Sequence, residues 1–194
     1  MIVQLALAAA LALAAAVPAT DAPLWPEHRA KIDGWRARVD AVNADPGIPP
    51  GDGEGKAVAE ELASTPAETL TAKEWLGEWR VRSIQGTRYG VFTYPWFKAR
   101  VTERNGKLFF EKTTGSQRRS GWLYAPIDGG KEWVFAGGAS VNEDPQVPYS
   151  RDAGAAAPAE TDSVGVAWKI GDGRLVMALD VRGDDYEIYQ LKRP

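Results

Sequence analysis

The stretch Phe97-Lys98-Ala99-Arg100-Val101-Thr102-Glu103-Arg104-Asn105-Gly106-Lys107-Leu108-Phe109-Phe110-Glu111-Lys112-Thr113 decides the fold class. Phe97, Ala99 and Val101 alternate with Lys98, Arg100 and Thr102, the period of two that a half-buried strand requires. Asn105-Gly106 follows, a pair that accepts the positive φ angles of a tight two-residue turn, and residues 108–113 run back. The segment reads as a β-hairpin.

The same grammar extends in both directions. Upstream, Trp79, Val81 and Ser83 alternate with Arg80, Arg82 and Ile84. Downstream, Gly115-Ser116 turns the chain into 118–124 and Asp128-Gly129-Gly130 into 132–137. Gly171-Asp172-Gly173 then links 164–170 to 175–181, and Gly183-Asp184-Asp185 leads into 186–192. About eight short strands joined by tight turns predict a mainly β fold, an antiparallel up-and-down barrel. Residues 140–162 show no periodicity, and a loop of that length is expected to be a lid, a binding loop or disordered.

Before the strands the period changes. Leu24, His28, Ile32, Trp35, Val39 and Val42 recur at spacings of three and four, one stripe of an α-helix with Pro26 in its first turn. His28, the single histidine, lies on that stripe and reads as a packed side chain. A second short helix is expected around residues 56–63. Residues 1–19 are almost all Leu, Ala and Val and end in small residues, the pattern of a secretory signal cleaved near Ala19. The expected organisation is a signal peptide over 1–19, a helical segment and linker over 20–72, and a β-barrel over 73–194. The expected location is periplasmic or secreted, with no membrane span left after cleavage.

The chain has no cysteine, which removes disulfides, thiol nucleophiles and thiolate metal sites. A net charge of −3 argues against nucleic acid as a partner. Residues 73–119 nevertheless carry eleven basic against four acidic residues, between acidic blocks with five against ten and seven against twelve. Either the blocks neutralise one another in the fold, or the central strands present a cationic patch.

The runs Leu76-Gly77-Glu78-Trp79-Arg80-Val81-Arg82, Tyr94-Pro95-Trp96-Phe97-Lys98, Phe110-Glu111-Lys112-Thr113-Thr114-Gly115-Ser116-Gln117-Arg118 and Gly121-Trp122-Leu123-Tyr124 together resemble a bacterial envelope family, domain of unknown function 4893. A looser resemblance is to the calycin superfamily, lipocalins included. That likeness implies that Gly77 and Trp79 close the barrel floor and that Arg193 packs over the indole.

The turn at Ser116, Gln117 and Arg118 has two readings, ordinary hairpin chemistry or a barrel-mouth grip for a polar or anionic group. Lys98 and Arg100 would join it if they share the rim, and Trp96 and Trp122 would line the pocket or the core. With one histidine, outside the strands, neither a Ser-His-Asp relay nor a histidine metal site can be assembled in the barrel. No cofactor is expected, and catalysis is the third reading, as a histidine-independent hydrolase or isomerase. The leading expectation is a lipocalin-like binding module for a small amphipathic or anionic molecule. The alternative is a filled barrel acting as an envelope interaction or structural protein with a protein partner.

Overall fold

The computed structural model describes residues 19–180 and 183–194, so the expected signal segment lies outside the described residues except for Ala19. Among the described residues four helices, α1 (Pro26–Asp33), α2 (Trp35–Ala44), α3 (Gly55–Ser64) and α4 (Ala72–Trp75), precede nine strands. These are β1 (Gly77–Thr87), β2 (Gly90–Thr93), β3 (Phe97–Arg104), β4 (Lys107–Lys112), β5 (Gln117–Tyr124), β6 (Trp133–Val141), β7 (Asp162–Gly171), β8 (Arg174–Leu179) and β9 (Tyr186–Lys192). Every pairing is antiparallel, and β9 returns to β1 through seven residue pairs from Arg80↔Lys192 to Gly86↔Tyr186. The result is a closed eight-stranded barrel of β1 and β3–β9. The ninth strand, β2, hairpins onto the far end of β1. Four residues are too few for alternation to show in the sequence.

Asn105 and Gly106 both take positive φ, 52° and 74°, as a tight turn between twisted strands requires. Alternation between a dry and a wet face holds on β1 and β3, whose outer positions carry Arg80, Lys98 and Arg100. It fails on β6 and β8, which are buried on both faces. The reason is the helices. Ile32, Trp35, Val39, Val42, Ala59 and Leu62 share one apolar cluster with Ile84, Val134, Val166, Trp168, Val176 and Ile188 on the outer wall. Trp35 stacks on Trp168 with ring centroids 4.8 Å apart. A sheet wall covered by helices needs apolar residues on both sides, hence near-continuous hydrophobic strands. The single expected helical stripe is broken into α1 and α2 at Gly34 (φ −88°, ψ 9°), yet all six stripe residues stay buried.

A second cluster fills the barrel interior with Trp79, Phe110, Phe135, Leu175, Met177, Tyr189 and Leu191. One end is shut by α4, which the sequence reading did not anticipate. Its start is a capping box, with Thr71 N–H donating to Glu74 Oε2 at 2.9 Å and Glu74 N–H to Thr71 Oγ1 at 3.4 Å. Trp75 is thereby delivered fully buried beneath Trp79, whose Nε1 donates to the Trp75 carbonyl at 2.7 Å. The other end is open. Toward that end Gly86 faces the Tyr186 ring on the outer wall, where a Cβ would stand 2.1 Å from it.

The 142–161 loop is tied down rather than loose. Tyr149 is buried, its hydroxyl 2.8 Å from His28 Nδ1 and accepting from Trp25 N–H at 3.0 Å. Ser150 accepts from Trp25 Nε1 at 2.9 Å, and its own N–H donates to Asp162 at 2.7 Å. Arg151 donates to the Leu24 carbonyl. His28, as the stripe implied, packs on α1, and through Tyr149 it fastens this loop to the helix.

Candidate functional site

Adjacent residues on a strand face opposite ways, so the paired basic residues of β5 part company: Arg118 faces the rim and Arg119 the interior. Inside the open end Arg119 meets Glu187 of β9 at 2.6 Å, both side chains nearly buried. Around this pair every partner is polar. Arg119 donates to Ser163 Oγ at 2.9 Å and to the Tyr189 hydroxyl at 3.0 Å, while Glu187 accepts from Ser83 at 2.6 Å and Gln85 at 3.0 Å. Burial works against the Arg119 charge, but Glu187 and the Tyr189 hydroxyl outweigh it and hold the guanidinium more firmly protonated than usual. Burial also raises the Tyr189 hydroxyl, so it stays neutral.

Lys112 of β4 completes this layer. Its ammonium donates to the Gln117 carbonyl at 2.6 Å and lies 4.6 Å from the Phe97 ring centroid. Burial pushes it down to about 8, and the neighbouring Arg119 and Arg118 push the same way against Glu187.

Above the layer opens a cleft of about 520 Å³ lined by Gln85, Gln117, Arg118, Arg119, Ala139, Val141 and Tyr186 among others. A second cleft of about 390 Å³ runs along the outer wall past Arg100, Glu111, Arg118 and Ser140, and a third of about 350 Å³ lies beside His28, Ser163 and Asp180. Arg119 lines all three. It is the junction of the open end.

Of the residues singled out from the sequence, Gln117 and Arg118 line the mouth cleft, Gln117 accepting from Gln85 at 3.2 Å and Arg118 reaching Glu143 at 2.7 Å. Ser116 is exposed beside them, its carbonyl accepting from Asn142 N–H. Arg100 is on the outer wall, paired with Glu111 at 2.6 Å, and Arg104 holds the other Glu111 oxygen. Trp122 is also on that wall, edge to face with Phe109 at 4.9 Å. Lys98 and Trp96 lie on the outside of β3 and the segment before it; the Lys98 N–H donates to Thr114 Oγ1 at 2.8 Å just before the mouth turn, but neither side chain lines the mouth cleft. At the closed end Arg193 sits 3.8 Å over the Trp79 ring, and a Cβ on Gly77 would stand 3.2 Å from its guanidinium. The sequence reading missed Arg119 and Glu187. Their inward parity with Leu123 and with Tyr189 and Leu191 was the available signal.

Much of the basic block is neutralised in place: Arg82 by Glu54, Arg100 and Arg104 by Glu111, Arg118 by Glu143, Arg119 by Glu187. Among the described residues no group of His, Asp and Glu side chains is arranged to hold a metal ion.

Residues 22–186 match the family model described as a domain of unknown function (DUF4893). The chain belongs to the DUF4893 family. The match takes in α1–α4 and β1–β8 and ends at the first residue of β9, beginning further toward the amino end than the motifs that carried the resemblance. A 63-residue stretch is also 32% identical to the NADPH nitrate reductase of Emericella nidulans, covering 32% of this chain and 7% of that protein. So small a share of the reductase's length carries no activity across. No solved structure matches.

Proposed function

We propose that this DUF4893 protein is exported and that its barrel mouth binds a small amphipathic molecule carrying a carboxylate or other anionic group. The observation that carries this is the state of Arg118. It borders the mouth cleft next to Arg119, and its only ion-pair partner among the described residues, Glu143, is 90% exposed. A solvated pair of this kind contributes about 0–1 kcal/mol, so an incoming anion can take its place at little cost. Ala139, Val141 and Tyr186 offer an apolar flank, and Gln85 and Gln117 offer amides at the floor. A cleft mixing apolar walls with a few converging polar groups suits a small ligand. Export rests on the Leu/Ala-rich segment at 1–19 and places binding in the periplasm or outside the cell.

Native mass spectrometry of protein recovered from its own envelope, followed by calorimetry with medium-chain carboxylates, tests the reading. Binding should weaken about tenfold in Arg118→Gln. No carboxylate binding to the wild type overturns it. The packed interior favours a second reading, an envelope interaction protein whose barrel is only a scaffold, and a copurifying protein with an empty mouth would select that one.

A further inference from the structure

Four cations stand in direct register on the outer wall. Arg80 of β1 is opposite Lys98 of β3 on one side and opposite Lys192 of β9 on the other, and Lys192 is in turn opposite Arg174 of β8. With strands about 4.8 Å apart, the row runs roughly 14 Å across four strands. Arg174 is answered by Glu61 at 3.7 Å and, one turn of the pleat away, Arg82 by Glu54 at 3.2 Å. Lys98, Arg80 and Lys192 are all exposed, and among the described residues none has a carboxylate within ion-pair distance. Like charges directly opposite on neighbouring strands destabilise a sheet. The barrel therefore carries a feature that its own fold does not need.

Beside the row lies Trp96, with Lys192 Nζ 4.3 Å from its ring centroid and the Arg82 guanidinium 5.1 Å away. Tyr94, two residues earlier, is 42% exposed. The row lines neither the mouth cleft nor the cleft along the outer wall, so it is not shaped to enclose a small molecule. We propose that the face formed by Lys98, Arg80, Lys192 and Trp96 docks on the anionic phospholipid headgroups of a membrane surface. The charges complement the lipid phosphates, and amphipathic aromatic rings flanking them are the side chains that settle at headgroup level. This face is on the barrel wall, distinct from the mouth, and it does not depend on the ligand proposed there.

Cosedimentation of the purified protein with vesicles of phosphatidylcholine alone, and of phosphatidylcholine mixed with phosphatidylglycerol, tests the proposal. Binding is expected only to the mixed vesicles, with loss at high salt and a blue shift of tryptophan emission that Trp96→Phe diminishes. Each Lys or Arg near such a surface counts for about a factor of five, so the triple variant Lys98→Gln, Arg80→Gln, Lys192→Gln should bind on the order of a hundredfold more weakly. Arg80→Gln alone should raise the melting temperature at low salt while weakening vesicle binding, because it removes the central repulsion. No binding to mixed vesicles by the wild type, undiminished binding by the triple variant, or binding to soluble heparin without binding to vesicles would each overturn the proposal.

Discussion

Arg193 seals the closed end of the barrel over Trp79. Its guanidinium carbon is 3.8 Å from the indole centroid, and the same group donates to the carbonyls of Glu74 at 2.6 Å and Leu76 at 3.0 Å. One side chain from the end of β9 thus satisfies carbonyls at the end of α4 and covers a ring that is itself bonded to Trp75.

Removing that side chain should loosen the floor. Arg193→Ala loses a cation–π contact of about 0.5–2 kcal/mol together with bonds to the carbonyls of Glu74, Leu76 and Glu78. Urea denaturation should show a loss of roughly 2 kcal/mol. Arg193→Lys should recover part of it, because an ammonium keeps the charge but cannot fork between two carbonyls.

The helices and the barrel should melt together. Trp35 is buried against Trp168, and the wall it covers is apolar, so the strands do not keep a soluble outer face without α1–α3. Calorimetry should give one transition for the whole molecule. Trp35→Ala should lower its stability by about 3–5 kcal/mol without splitting it. Two separate transitions would mean that the shared core is not cooperative.

The legible parts of this fold were those where one face is wet. β1 and β3 show their alternation because Arg80, Lys98 and Arg100 sit between apolar neighbours, and Asn105-Gly106 announces the turn. β6 and β8 carry no such alternation, and only their bounding glycines set them apart from buried helix. At the mouth, Gln117 and Arg118 could be picked out because they follow a turn. Arg119 and Glu187 could not be paired, since they are brought together by barrel closure across sixty-eight residues of chain. A pairing of that range is a property of topology.

Lys112 should give the molecule a distinctive alkaline behaviour. Burial holds its ammonium down to about 8 against an ordinary value near 10.4, so between those values the unfolded chain binds more protons than the folded one. Stability from this site therefore rises with pH across that window, and the cost of keeping the charge buried is present in full below it. Lys112→Met should be more stable than wild type at pH 7, by no more than about 3 kcal/mol, and the gap should close toward pH 10. Tyr149, pushed up to about 12 by burial, lowers stability above pH 10 in both proteins, so the difference between them isolates the lysine.

The Arg119–Glu187 pair should behave as a buried unit. With Arg119 gone, Glu187 keeps Ser83 and Gln85 as donors but loses the counter-charge it touches and retains only the more distant Lys112 ammonium, and breaking a buried pair in this way costs up to about 3–5 kcal/mol. Arg119→Met should approach that loss in urea denaturation. The double variant Arg119→Met, Glu187→Met should be more stable than the single one, because neither charge is then left alone. If the pair organises the mouth, the double variant will fold and still fail to bind the carboxylates that the wild type takes, since Arg119 borders all three clefts that meet there. A double variant that folds and binds normally would assign the pair to stability alone and leave Arg118 to carry recognition.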